Sequence, residues 1–261
     1  MTNLLIQLIL PFILSAIIVI IITVIAEKYG TKIGGILGTI PSTIIIAFIF
    51  IALNKGTDFA SKSAAIVPSE MGINIIFLLT FVNLSYKSIK LAFIGSMIIW
   101  SILSSILFFI DITNIYLSIT IYFISTFIIF YYLEFIKKIP STGKIIIKYT
   151  IKKIIFRGLL AGTIIAISVL LSNTSAILSG IFSVFPAILS STMIISLKEH
   201  GADFAAGIAK SMIIGSVSVM SYAITIHFLY PIVGIVSGTI FAFIISLIIT
   251  TTLFLLRQKI R

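Results

Sequence analysis

GILGTIPSTIIIAFIFIALNKGTDFASKSA, residues 35–64, is answered by GIFSVFPAILSSTMIISLKEHGADFAAGIA, residues 180–209. At this fixed offset Gly35 falls on Gly180, Pro41 on Pro186, Gly56 on Gly201 and Asp58 on Asp203. Apolar coincidences mean little in so Ile-rich a chain. Glycine, proline and aspartate are scarce by comparison, with only 16 Gly and 6 Pro in 261 residues, so their coincidence marks an internal repeat.

Composition sets the solvent in which that repeat must fold. With 60% hydrophobic and 10% charged residues, the chain has too little polar surface for a water-soluble globule, and it reads as an integral membrane protein. The absence of cysteine excludes disulfides, thiolate nucleophiles and iron–sulfur ligation. His200 and His227 are far apart in sequence with no acidic cluster beside them, so neither a metal site, a cofactor nor an enzyme's catalytic set is expected. The first apolar run lacks a basic leader and a small-residue cleavage pattern, and is read as a retained helix. The net charge of +11 is assigned to the positive-inside bias of membrane proteins rather than to nucleic-acid binding.

Runs of roughly 20 apolar residues predict nine membrane-spanning helices, at about 4–26, 33–53, 58–84, 90–110, 114–136, 155–172, 175–197, 202–229 and 232–256. Of the 18 Lys and Arg residues, Lys55 and Lys62 then fall on one face and Lys210 inside a helix. All the others, including the segment from Lys137 to Lys153, fall on the opposite face. The bias predicts a multi-pass protein of the cytoplasmic membrane, N-terminus outside and C-terminus inside. The first four helices align with the last four, leaving one between them. Three segments follow: a repeat at 1–112, a linker helix and basic loop at 113–153, and a second repeat at 154–261. A displacement by five helices inverts the second copy. This 4+1+4 inverted-topology arrangement is the pattern of secondary transporters, whose halves rock about a midplane site.

The stretch GIFSVFPAILSSTMIISLKEHGADFAAGIAKSM, residues 180–212, resembles the small four-helix bacterial membrane proteins of the GlpM-like group. Those share a Gly, five residues, Pro pattern in the second helix and a short polar turn before the third. The resemblance covers the second and third helices of each half; the rest match by hydropathy. It implies two such units fused through an added helix, and brings no substrate with it.

Several residues stand out against the apolar background. Pro41 and Pro186 each free a backbone carbonyl about one turn earlier, near Leu37 and Phe182, with Thr39, Ser42, Ser190 and Ser191 close by. In hydrocarbon such a carbonyl needs a partner or a wet cavity. Hinged, pathway-lining helices and simple packing kinks are the two readings. Gly35 and Gly180 suit close helix packing. Asp58 and Asp203 follow Gly in GTDFA and GADFA, where they either cap a helix start or act as gates on opposite faces. Lys62, one turn from Asp58, is expected to snorkel or pair with it.

Glu70, two residues after Pro68 and one turn before Asn74, is the most informative position. An intramembrane carboxyl requires a partner, water or neutralisation. From Asp58 it lies about 18 Å inward, and Lys210 lies about 10 Å outward from Asp203. Across about 30 Å of hydrocarbon the two reach a similar depth, so they are expected to meet across the repeat interface. The pair is read either as a coupling site or as a structural ion pair, with a protonated Glu70 bonded to Asn74 as a third arrangement. Glu134 is assigned to Lys137 or Lys138 at a solvated end. Trp100, Asn83, Asn114 and Tyr86 are given interfacial or packing roles, and Tyr116, Tyr122, Tyr131 and Tyr132 an aromatic belt.

The expected function is a secondary transporter or permease for a small solute or ion, using alternating access, with the bilayer as its surroundings and a homo-oligomer compatible. The alternatives are a non-catalytic accessory protein of an envelope complex, a lipid translocator and, last, a membrane-embedded enzyme.

Overall fold

The computed structural model describes residues 5–37, 41–140 and 150–259, and every regular element among them is helical. A π turn at Leu5–Ile9 leads into α1, Leu10–Leu37. Then come α2, Ser42–Lys55; α3, Thr57–Ala65; α4, Val67–Ser85; and α5, Ile89–Ile110. The helix α6, Ile115–Tyr131, ends in a second π turn, Tyr132–Ile136. The remainder is α7, Ile151–Leu171; α8, Ala176–Ser183; and α9, Ala187–Lys259. Residues 38–40, with Thr39 among them, and residues 141–149 of the basic segment lie outside the described residues.

Local chemistry explains the boundaries. Ser88 opens α5 by accepting from the Leu91 amide at 3.1 Å, and Asp111 closes it in the left-handed region at φ 57°. Asn114 caps α6 through the Tyr116 and Leu117 amides, a sharper role than packing. In the long α9 the helix is interrupted at Gly201, φ 83°, and at Gly234, φ 76°. At Gly234 the chain doubles back: a Cβ on Gly238 would stand 3.7 Å from the Tyr230 Cα, whereas eight residues of straight helix would separate them by about 12 Å. Gly56, between α2 and α3, has φ 88° and ψ 166°; Gly201, its repeat equivalent, has φ 83° and ψ 179°. Side chains rarely adopt this conformation, which is the physical reason for glycine at both positions.

Six helical stretches among the described residues are long and apolar enough to cross a membrane, and the all-helical fold is compatible with a multi-pass membrane protein. The stretch Thr57–Ser85 is the centre of the molecule: 83% of its most apolar window is buried, against 22% for α5 and 17% for α6. Large apolar side chains such as Phe109, Phe127 and Ile232 point outward. Close packing uses small residues, as expected where hydrocarbon surrounds the protein. On α7, Gly158 and Gly162 face α1, and a Cβ on Gly162 would come within 2.5 Å of the Phe12 carbonyl oxygen. Gly180 on α8 lies against the Ser63 carbonyl of α3, in keeping with the packing role expected of it; the structure does not describe Gly35 in the same way.

The two prolines do more than kink their helices. Pro41 immediately precedes α2, and Pro186 immediately precedes α9. The expected continuous seventh span is interrupted from Val184 to Pro186, because proline removes a donor where the preceding residues already leave helical geometry, Val184 at φ −122° and ψ 22°. The expected third span is also divided, at Ile66, with Pro68 in the first turn of α4.

Candidate functional site

The break between α8 and α9 leaves backbone groups that must be satisfied inside the protein. Phe182 accepts from the Phe185 amide at 3.3 Å. The Val184 carbonyl accepts from Asn74 Nδ2 of α4 at 2.8 Å. This fixes the amide's orientation, and Asn74 Oδ1 then has no hydrogen-bond partner among the described residues. Trp100 of α5 closes the other side of the break, with its ring edge-on to Phe185 at 4.8 Å and to Phe182 at 6.3 Å.

One turn before Asn74 on the same face of α4 is Glu70, with none of its surface exposed. Its Oε1 accepts from Ser104 Oγ at 2.7 Å. Trp100, one turn from Ser104, turns its indole toward the same carboxyl without closing a hydrogen bond, and Oε2 has no partner among the described residues. The α3–α4 break places Glu70 in the first turn of α4, where the positive end of the helix dipole favours a carboxyl group. Ser118 of α6 secures that helix start by accepting from the Ser69 amide at 2.8 Å. Two helix interruptions, a carboxyl and an amide thus meet at mid-length in the central helix.

Glu70, Asn74 and the segment before Pro186 are therefore gathered at one place. Glu70 and Lys210 are not paired. Lys210 Nζ lies 2.8 Å from Glu134 Oε2 and donates to the Ile139 carbonyl. The expected equal depth fails: Gly72, two residues from Glu70, packs against Tyr122 of α6, whereas Lys210 pairs with Glu134, twelve residues or about 18 Å further along that helix. Glu134 is correspondingly not paired to Lys137, which donates to Asn83 Oδ1 at 2.6 Å. Ser190 donates to the Pro186 carbonyl at 2.5 Å and Ser191 to the Ile188 carbonyl at 3.1 Å, so both hydroxyls are spent on the first turn of α9. Pro41 accepts from the Ile45 amide at 3.2 Å.

The paired aspartates differ. Asp58 sits in the first turn of α3 with no side-chain cap at its start, and no ion pair joins it to the exposed Lys62 among the described residues. Asp203 accepts from the Tyr86 hydroxyl at 2.8 Å. Burial, then this carboxylate, push the Tyr86 phenol above its ordinary 10.0. At the same end Lys153 pairs with Glu199. At the other end Gln7, Asn54 and Asn173 form a ring of hydrogen bonds, closed by Asn173 Nδ2 to Gln7 Oε1 at 3.0 Å, and Asn54 Nδ2 also donates to Ser172 Oγ at 2.8 Å. His227 and Ser61 bridge α9 to α3 through each other's carbonyls at 2.9 and 2.6 Å.

Sequence reasoning passed over Ser104 and gave Trp100 a general interfacial or packing role, although a signal was present. Ser96, Trp100 and Ser104 recur every fourth residue on α5, and all three are buried. Tyr122 likewise leaves the expected belt for the interior, bonded to Ser216 at 2.8 Å.

Residues 8–113 match a family described only as a protein of unknown function (DUF3147). No curated protein and no solved structure matches the chain.

Proposed function

We propose that the chain is a secondary transporter of the cytoplasmic membrane, a 4+1+4 inverted repeat with its N-terminus outside, in which Glu70 carries the coupling proton. The observation that carries this reading is the fully buried Glu70 carboxyl, bonded on one oxygen to Ser104 alone and set beside an interrupted helix whose free carbonyl is held by Asn74. Ionisable groups at such depth are costly, and functional sites are where they occur. Discontinuous helices at mid-membrane supply the polar backbone of transporter sites.

The inverted repeat has support of its own. Gly56 and Gly201 share one unusual backbone conformation at equivalent positions, and Pro41 and Pro186 each precede a helix start. The family match over residues 8–113 covers nearly the stretch assigned to the first repeat. Alternating access then consists of the segment 184–186 releasing Asn74 and opening the carboxyl to one face at a time.

The test is proton movement in liposomes containing the purified protein, with an imposed solute gradient. Wild type is expected to move protons only with its solute, and Glu70→Gln to move none. Equal proton movement by Glu70→Gln would refute the assignment. Silence from wild type with every solute class would favour the accessory-protein reading.

A further inference from the structure

We infer that the site beside Trp100 accepts a monovalent organic cation bearing N–H donors, an alkylammonium or a guanidinium, in exchange for the Glu70 proton. This rests on the transporter reading for its coupling, and on the geometry of the site for its chemistry.

Once Glu70 gives up its proton, two of the three unsatisfied groups at this site are acceptors. Glu70 Oε2 and Asn74 Oδ1 are buried, lack partners among the described residues, and lie one turn apart on one face of α4. Two nearby donors are spent, Asn74 Nδ2 on the Val184 carbonyl and the Ser104 hydroxyl on Glu70 Oε1; the Trp100 N–H, turned to the same carboxyl, has no hydrogen-bond partner among the described residues. Lys210, the buried cation that would suit an anion, is bound to Glu134 and the Ile139 carbonyl. An anion arriving here meets unpaired oxygens, and an ammonium or guanidinium supplies the missing donors. Phe182 and Phe185, packed against Trp100, give the site an apolar side for the alkyl part of such a cation. A bare metal ion is poorly served, since two oxygens fall short of the six or so that hard cations take.

Charge balance follows. With its proton, Glu70 is neutral and the site is closed. A cation enters as the proton leaves to water on the open side, so the buried net charge stays near zero. The other titratable groups on the elements packed against α4 are engaged or terminal. Tyr122 on α6 bonds Ser216, Lys210 on α9 pairs with Glu134, and His227 bonds Ser61. Tyr222 and Tyr230 lie further along α9, Lys90 and Asp111 mark the ends of α5, and Asp58 and Lys62 are exposed on α3. None of these is a hydrogen-bond or ion-pair partner of Glu70.

Trp100 is the single tryptophan of the chain, so its fluorescence reports on this site alone. The full-length protein in detergent would be titrated with propylammonium and methylguanidinium, and with propionate and propionamide as the anionic and neutral probes. The expected result is a saturable emission change with the two cations only. Their apparent affinity should rise by up to about tenfold per pH unit while the site still carries its proton, because one proton is displaced per cation. Glu70→Gln should weaken the cations by about tenfold or more, and the wild-type pH series answers the same question without a variant. A response to propionate or propionamide, a cation response that ignores pH and Glu70→Gln, or no response to any probe would each overturn the inference. Proton flux in liposomes separates the two proposals. Cation binding without flux sustains the cation site while sinking transport, whereas flux driven by propionate overturns the cation site and leaves transport standing.

Discussion

Lys210 is an ammonium group with 1% of its side chain exposed, and its Glu134 partner keeps 31%. Removing one member of a buried pair leaves an uncompensated charge, at a cost of about 3–5 kcal/mol where both are buried. The charge that Glu134→Gln leaves behind is the buried Lys210, so this variant should cost about 3 kcal/mol, the low end because Lys210 keeps its bond to the Ile139 carbonyl. Adding Lys210→Met should recover most of that loss, because no charge is then left unpaired. Denaturant unfolding in micelles of both single variants and the double variant measures this, and additive losses would contradict it. The same residues show what the sequence made legible. That Glu70 and Lys210 are unusual could be read from hydropathy, but their relative depth could not be read from helical rise, which assumes straight, upright spans and puts level two residues that pack at different points along α6. Their partners could not be read either, since Ser104 and Glu134 were selected by the tilt of neighbouring helices and by direction around each axis.

At the scale of elements, the breaks are the informative features. The positions of Pro41, Pro186, Gly56 and Gly201 announced them, because each residue type acts on the backbone without needing a neighbour. The satisfaction of the α8–α9 break by Asn74 was not legible, because it depends on α4 lying alongside. Replacing Asn74 with Leu should orphan the Val184 carbonyl, at about 1–3 kcal/mol, whereas Asn74→Gln should retain part of the bond. Thermal unfolding would distinguish them, and equal stability of Asn74→Leu and wild type would mean the break is satisfied otherwise. Two glycine substitutions should fail for different reasons. Gly56→Ala meets open space but inherits a φ of 88°, a strain of about 1–3 kcal/mol. Gly180→Ala drives a methyl into the Ser63 carbonyl, and overpacking of this kind also costs about 1–3 kcal/mol. Asparagine should cost about as much as alanine at position 56, whose ψ of 166° lies outside the left-handed helical region that Asn tolerates, and should worsen position 180. The same change from alanine to asparagine at both sites would remove the distinction.

For the whole molecule, the decisive claim is that the two copies cross the membrane in opposite directions. Contacts among the described residues already separate two ends. Gln7, Asn54 and Asn173 meet at one, and Lys153 with Glu199, and Tyr86 with Asp203, meet at the other. Lys55 precedes Gly56 at the first end and His200 precedes Gly201 at the second, and both side chains are exposed. They are equivalent positions of the repeat, so an inverted architecture must present them to opposite compartments. The chain has no cysteine, so each can be replaced by cysteine without a background thiol. In intact cells, Lys55→Cys should react with a membrane-impermeant maleimide and His200→Cys should react only after permeabilisation. If both react from outside, the repeat is parallel, and Pro41 and Pro186 cannot be related by a twofold axis in the membrane plane. If the sides are exchanged, the inversion stands and the positive-inside assignment falls. The outcome bears on the proposed mechanism because rocking requires inversion: only an inverted pair lets Pro186 and Pro41, each at a helix start, exchange environments while the two faces exchange access.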